Sequence, residues 1–306
     1  MNNDLPIKIK LPDGFLEPEV RCDYQVTKEL KELWAVELDL LSELLRICYK
    51  YKITIFANGG TMLGAVRHKG FIPWDDDIDM MMPRSEYNIL CEVAKVEIKH
   101  PYFWQTEDTD PGSARGHAQL RNSLTTCILK SEESYKYPFN QGVFIDIFPL
   151  DNVPDDATEQ RGFIMEVIKR YAKSKIERNY NFKIHLRKNI FKLMNNIFKY
   201  YYRKVIGKTT YKKYYREFEK LVMSYNYTET DYLCLCPNFK EANLNHRKDF
   251  TEVVLLPFEF ISIPVASGYD RMLTQNFGNW HEYVKGTSVH GEMFFDVRKP
   301  YTEYVK

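Results

Sequence analysis

The chain has 306 residues, 44% of them hydrophobic and 15% aromatic, enough to bury a sizeable core as one large domain or two closely joined ones. Its formal charge is +1, and nothing along it has the composition of a long disordered segment. The start, MNNDLPIKIKLPDG, has no apolar signal core and no apolar run approaches about eighteen residues, so a cytoplasmic protein is expected rather than a membrane-spanning one. The six cysteines include no CxxC pair, and Cys234-Leu-Cys236 reads as one face of a strand, so reduced thiols are expected.

In chain order, Thr27 is placed to cap an amphipathic helix over residues 29–51. Leu30, Leu33, Trp34, Leu38, Leu41, Leu44, Leu45 and Cys48 recur at helical spacing there and form a core stripe. The run Ile53 to Ala57 has the β-branched and aromatic makeup of a short buried strand. Gly59 and Gly60 break it, and TMLGAVR then reads as the start of a helix. Strand, glycine turn and helix start make an anion site, with Thr61, Arg67 and His68 close behind.

From Trp74 the sequence runs Trp-Asp-Asp-Asp-Ile-Asp-Met-Met-Met. If this is a strand, Asp75, Asp77 and Asp79 share one face, while Asp76, Ile78 and Met80 share the other. Carboxylates repeating at ~7 Å on one face repel each other unless a cation neutralises them. Hard carboxylate oxygens suit Mg2+, or Mn2+. A helix is expected from Pro83-Arg84-Ser85 to Lys95 with Ser85 as cap, then strands near Phe103, Ala118 to Arg121, Thr125 to Leu129 and Phe144 to Phe148. Within the last of these, Asp146 is a single acid in an apolar strand, which costs several kcal/mol unless a cation or hydrogen-bond donors meet it. Asp146 is therefore the best candidate for a third metal-binding carboxylate.

Residues 161–220 are helical in pattern and rich in tyrosine, with eighteen Lys and Arg against four acids. The segment is near +14 and the remainder near −13, so a small net charge hides a strong dipole. KNIFKLMNNIFKYYYRKVIGK interleaves apolar and basic residues, which suits an anionic bilayer or an anionic, lipid-linked glycan. No nucleic-acid-binding module accompanies it, and no nucleic-acid partner is expected.

A glycine turn, a helix and an acid-x-acid strand resemble the ground plan of the nucleotidyltransferase superfamily. More specifically, GGTMLGAVRHKGFIPWDDDIDMMMPRSEY resembles the signature of the LicD family, phosphocholine transferases of bacterial surface glycans related to the fukutin-type sugar-phosphate transferases. The preceding helix, QLRNSLTT near Arg121, VFIDIFPLD and FEFISIPVASGYDRMLTQNFGNW follow in family order, although FGNW departs from the YGDYM-like run of related sequences.

The resemblance implies an α/β (α+β) fold with a nucleotidyltransferase-like mixed sheet flanked by helices. It divides the chain into a catalytic core (1–160), a basic helical region (161–230) and a C-terminal part completing the catalytic domain (231–306). It also implies Mg2+-dependent transfer of a phosphodiester-linked group, typically phosphocholine from a CDP-choline donor, to a hydroxyl of a glycan or its lipid-linked precursor at the inner face of the cytoplasmic membrane. Asp77 and Asp79 then form the metal pair, with Asp75 beside them and Asp146 completing the set. Gly59, Gly60, Thr61, Arg67 and Arg121 hold phosphates, and His68 orients a phosphate or acts as acid or base. Two other classes are compatible with the residues: a nucleotidyltransferase that releases pyrophosphate from a nucleoside triphosphate, and a noncatalytic glycan- or membrane-binding protein.

Overall fold

The computed structural model describes residues 4–206, 210–240, 243–285 and 293–305; the three N-terminal residues and 207–209 of the basic run lie outside them. In order come β1 (Glu19–Arg21), β2 (Tyr24–Val26), α1 (Lys28–Tyr51), β3 (Phe56–Ala57), α2 (Gly59–Leu63), β4 (Asp79–Pro83), α3 (Arg84–Glu97), β5 (Tyr102–Gln105), β6 (Ala118–Asn122) and β7 (Thr126–Leu129). Then follow α4 (Lys130–Glu133), β8 (Val143–Val153), α5 (Ala157–Phe182), α6 (Ile190–Ile206), α7 (Thr210–Val222), β9 (Tyr232–Leu235), β10 (Leu244–His246), β11 (Val253–Phe258), β12 (Ile261–Ala266), α8 (Tyr269–Phe277) and β13 (Met293–Asp296).

The long β8 is the axis of a seven-stranded mixed sheet. One edge of β8 takes β4 in parallel, with antiparallel β3 beyond it. Its other edge takes β6 along the first half and β9 along the second, both antiparallel, with β5 beyond β6 and β10 beyond β9. Parallel pairing of β4 with β8 sets Asp79 directly beside Asp146.

Helix α1 lies on this sheet against β8 and β6, because its apolar stripe has nowhere else to go. Leu33, Trp34, Leu38, Leu41, Leu44 and Cys48 are buried, with Leu30 and Leu45 packed at the margin. The Thr27 hydroxyl accepts the Leu30 amide at 3.3 Å as N-cap, and Lys52 closes the helix in the left-handed region (φ 55). At α3 the expected cap differs: Pro83 holds the N-cap position without a side-chain bond, and Ser85 lies inside the helix. Proline's fixed φ makes it a ready helix entry, and Arg84 is drawn inward by a buried ion pair to Asp151 at 2.6 and 2.7 Å.

The basic region forms three helices, α5, α6 and α7. α5 and α7 pack together through Phe163, Val167, Tyr211, Tyr215 and Phe218, and the same cluster takes in Cys234 and Cys236 beside β9. The C-terminal quarter returns to the main body, where Phe258, Ile263, Val265, Met272, Leu273 and Trp280 join the core around α1. All six cysteines are unpaired. Among the described residues no helix is long and apolar enough to cross a membrane.

Candidate active site

The acidic run folds differently from the alternating strand expected of it. Only Asp79 belongs to β4, whereas Asp75 to Ile78 are irregular chain leading into it. The reason is the available pairing: the Asp146 amide donates to Ile78 O at 2.9 Å, and the β4–β8 register begins one residue later. Without a partner strand, side-chain alternation does not apply. Asp76 therefore does not turn to an opposite face; Asp75, Asp76 and Asp77 each present an oxygen within 4.8 Å of the others. Asp79 and Asp146 form a second pair of neighbouring carboxylate positions on adjacent strands.

Several groups fix this geometry. Trp34, stacked on Phe71 at 4.5 Å, donates its indole N–H to Asp75 O at 2.9 Å. The Thr61 hydroxyl is buried and accepts the Asp79 amide at 2.9 Å. At the glycine turn, a Cβ on Gly60 would fall 2.6 Å from Asp75 Oδ2, and one on Gly59 (φ +49) would meet Asp79 Oδ2 at 3.8 Å. Glycine is favoured at 59 by its positive φ and at 60 by the close approach of the Asp75 carboxylate. Asp146 Oδ1 accepts Gln119 Nε2–H at 2.6 Å and lies 3.0 Å from His117 Nε2. Burial alone would raise the Asp146 carboxyl, but these two contacts and the charge of Arg115 outweigh it and hold the group below the ordinary aspartate value.

A sixth acid lies behind them. Glu37, in the middle of α1, is buried, and it lines a small cavity with Asp76, Asp77, Cys127 and Phe144. Burial first, and then the charges of Asp77, Asp76, Asp75 and Asp79, push its carboxyl well above 4.5. A set of hard carboxylate oxygens, three of them within 4.8 Å of one another, fits a divalent cation such as Mg2+.

Residues 52–188, which contain the glycine turn, the acidic run and Asp146, match the family described as LicD/FKTN/FKRP, nucleotidyltransferase domain. That stretch is similar to the LicD nucleotidyltransferase domain. The chain is 28% identical over 254 residues, 82% of its own length and 91% of its relative's, to the lipopolysaccharide cholinephosphotransferase LicD of Haemophilus influenzae. Both likenesses support a phosphotransferase-type enzyme.

Within this LicD domain the remaining candidates hold other positions than expected. Arg121 is buried to 1% exposure and donates to Gln105 Oε1 at 2.7 Å, Gly142 O at 2.6 Å and Gln119 Oε1 at 2.5 Å. It has no surface for a phosphate; it orients Gln119, which in turn holds Asp146. Thr61 is likewise committed to the Asp79 backbone. Arg67 donates to the carbonyls of Trp280 and Glu282 at 2.8 and 2.9 Å and lies over the Tyr283 ring, fastening a C-terminal loop to the helical turn. His68 meets Tyr283 edge-on at 5.2 Å. Burial, followed by Arg67 and Arg21, brings its pKa down to about 4, so it is a neutral imidazole at physiological pH.

Glu37, His117, Gln119 and Arg115 are the candidate-site residues the sequence reading missed. His117 and Gln119 carried a signal, because strand period two puts them on the face of Arg121. Glu37 carried one too, as an acid inside an apolar helical stripe, the anomaly that singled out Asp146 in its strand.

Proposed function

We propose that the chain transfers a substituted phosphate, phosphocholine from CDP-choline, to a hydroxyl of a surface glycan or its lipid-linked precursor and releases CMP. The observation that carries this reading is the meeting of Asp79 and Asp146 on adjacent strands beside the Asp75–Asp76–Asp77 cluster, within a LicD domain. In this reaction a bond forms between the acceptor oxygen and the donor's β-phosphorus as the bond to CMP breaks, and the hydroxyl loses its proton. Charge grows on both the entering and the leaving oxygen. Asp75, Asp77, Asp79 and Asp146, with Asp76 beside them, would hold Mg2+, which would lower the hydroxyl's pKa and neutralise the diphosphate.

The chain's own residues do the rest. His117 and Gln119 keep Asp146 ionised and aimed, Thr61 and Trp34 fix the backbone of Asp79 and Asp75, and Glu37, its carboxyl pushed up by burial and by the neighbouring charges, backs the cluster. His68, neutral, orients the ligand by hydrogen bonding rather than by charge. Trp74 adjoins Asp75 and meets Tyr24 edge-on at 6.0 Å, and Tyr24 already carries the Lys285 ammonium 5.0 Å from its ring centroid. This pair suits a quaternary ammonium, which ring faces hold without hydrogen bonds.

The test is to offer CDP-choline, CDP-ribitol, CDP-glycerol and nucleoside triphosphates with Mg2+ and to identify the nucleotide released, with Asp77→Ala and Asp79→Ala as controls. CMP from CDP-choline, lost in both variants, is expected. Pyrophosphate from a triphosphate would overturn the donor assignment, and metal-dependent CMP release that survives both substitutions would overturn the site.

A further inference from the structure

Helix α6 turns its strongest apolar face outward. In a helix packed on a protein body the apolar face turns inward, yet the two buried residues of α6 among those described are polar, with Leu193 and Tyr200 only partly buried beside them. Asn196 is buried and donates to His185 O at 3.0 Å. Seven residues on, and so on the same side, buried Arg203 pairs with Glu177 of α5 and donates to Thr210 Oγ1 at 3.1 Å.

The outward side carries Phe191, Met194, Phe198, Tyr201, Tyr202 and Val205, spaced three and four apart as one continuous stripe. These side chains are exposed, Phe191 to 78%, Phe198 to 67% and Val205 to 82%. Solvent-facing lysines flank the stripe, Lys192 and Lys199 along one border and Lys204 along the other, with exposed Lys188 just before the helix. Residues 187–206 contain six Lys and Arg and no carboxylate.

We propose that α6 is a membrane-interface helix that lays this stripe into the headgroup region of an anionic bilayer. At 17 residues it is about 25 Å long and lies along the surface without spanning it. Tyrosines at the stripe's edge and lysines at its borders suit the headgroup level, where rings bury one end and ammonium groups reach phosphate. Charge selects the occupant. A second copy of the chain would bring like-charged lysine borders together, whereas an anionic surface complements both of them.

The experiment uses the full chain and vesicles of phosphatidylglycerol with phosphatidylethanolamine, against vesicles of phosphatidylcholine alone, read by co-sedimentation. Binding to the anionic vesicles is expected, weakening as salt rises from about 50 to 500 mM. The Phe191→Ser, Phe198→Ser double variant is expected to bind about tenfold more weakly or less while unfolding at the wild-type temperature, since both rings are exposed. Lys192→Glu with Lys199→Glu is expected to remove most of the salt dependence. Failure of the wild type to sediment with anionic vesicles at low salt, or undiminished binding by the phenylalanine variant, would overturn the assignment. So would a concentration-dependent dimer that the phenylalanine variant abolishes, because the face would then be covered by a second copy.

Discussion

Replacing Arg121 by methionine separates two readings of a residue that the sequence marks as a phosphate ligand. In the fold its guanidinium meets Gln105 Oε1, Gly142 O and Gln119 Oε1, all within 2.7 Å, from a fully buried position. Methionine fills much of the volume but leaves three buried acceptors without a donor. Each bond from a charged donor contributes roughly 1.5–3 kcal/mol, and loss of one partner from a buried charged network costs about 3–5 kcal/mol because the contributions do not add. For a chain of 306 residues the unfolding entropy makes 1 kcal/mol worth about 1.6 °C, so Arg121→Met is expected to lower Tm by roughly 5–8 °C. Gln119 passes the disturbance to Asp146, so kcat falls while KM for the donor nucleotide holds, measured where the variant is folded. Lysine at this position keeps the charge but not the planar fork and does not restore Tm. A variant that unfolds within about 2 °C of wild type while its donor KM rises tenfold would refute this reasoning and return Arg121 to the ligand set.

Glu37→Gln tests the electrostatics of the cluster through pH. The folded-state pKa of Glu37 is raised, so its contribution is favourable below the unfolded value of 4.5 and is lost as pH rises toward the folded one, by up to ~1.4 kcal/mol per pH unit. In EDTA the glutamine variant is therefore expected to gain Tm on wild type by up to about 2 °C per pH unit from pH 5 upward, and a pH-independent difference would refute the assignment. Gly60→Ala places a methyl 2.6 Å from Asp75 Oδ2, and a flexible carboxylate rather than backbone must give way. Activity is expected to fall on the order of a hundredfold with Tm changed by less than about 2 °C; full activity would show that the position of Asp75 is immaterial.

The parts of this molecule legible in the sequence are those in which a residue's role follows from its own neighbours. The core stripe of α1 and its Thr27 cap, the glycine turn, the strand around Asp146 and the helical character of the basic region are all local patterns. What was misread depended on a partner distant in the chain. Alternation along the acidic run requires a strand to pair with, and β8 offers one only from Asp146 onward, so Asp76 joins Asp75 and Asp77 instead of turning away. Arg121 carries a positive charge beside a family landmark, yet whether a charge faces a ligand or the core is decided by what covers it, here β5 through Gln105 and the chain at Gly142. One miss and one feature the sequence did show have something in common. Glu37 is an acid within an apolar helical stripe, and α6 exposes an apolar stripe while its two buried residues among those described are polar. In each, side-chain chemistry contradicts the periodicity around it. Burying a carboxyl or exposing a row of aromatic rings costs free energy, and such a cost persists where a ligand or a surface offsets it, as the cation proposed beside Glu37 and the anionic bilayer proposed against α6 would.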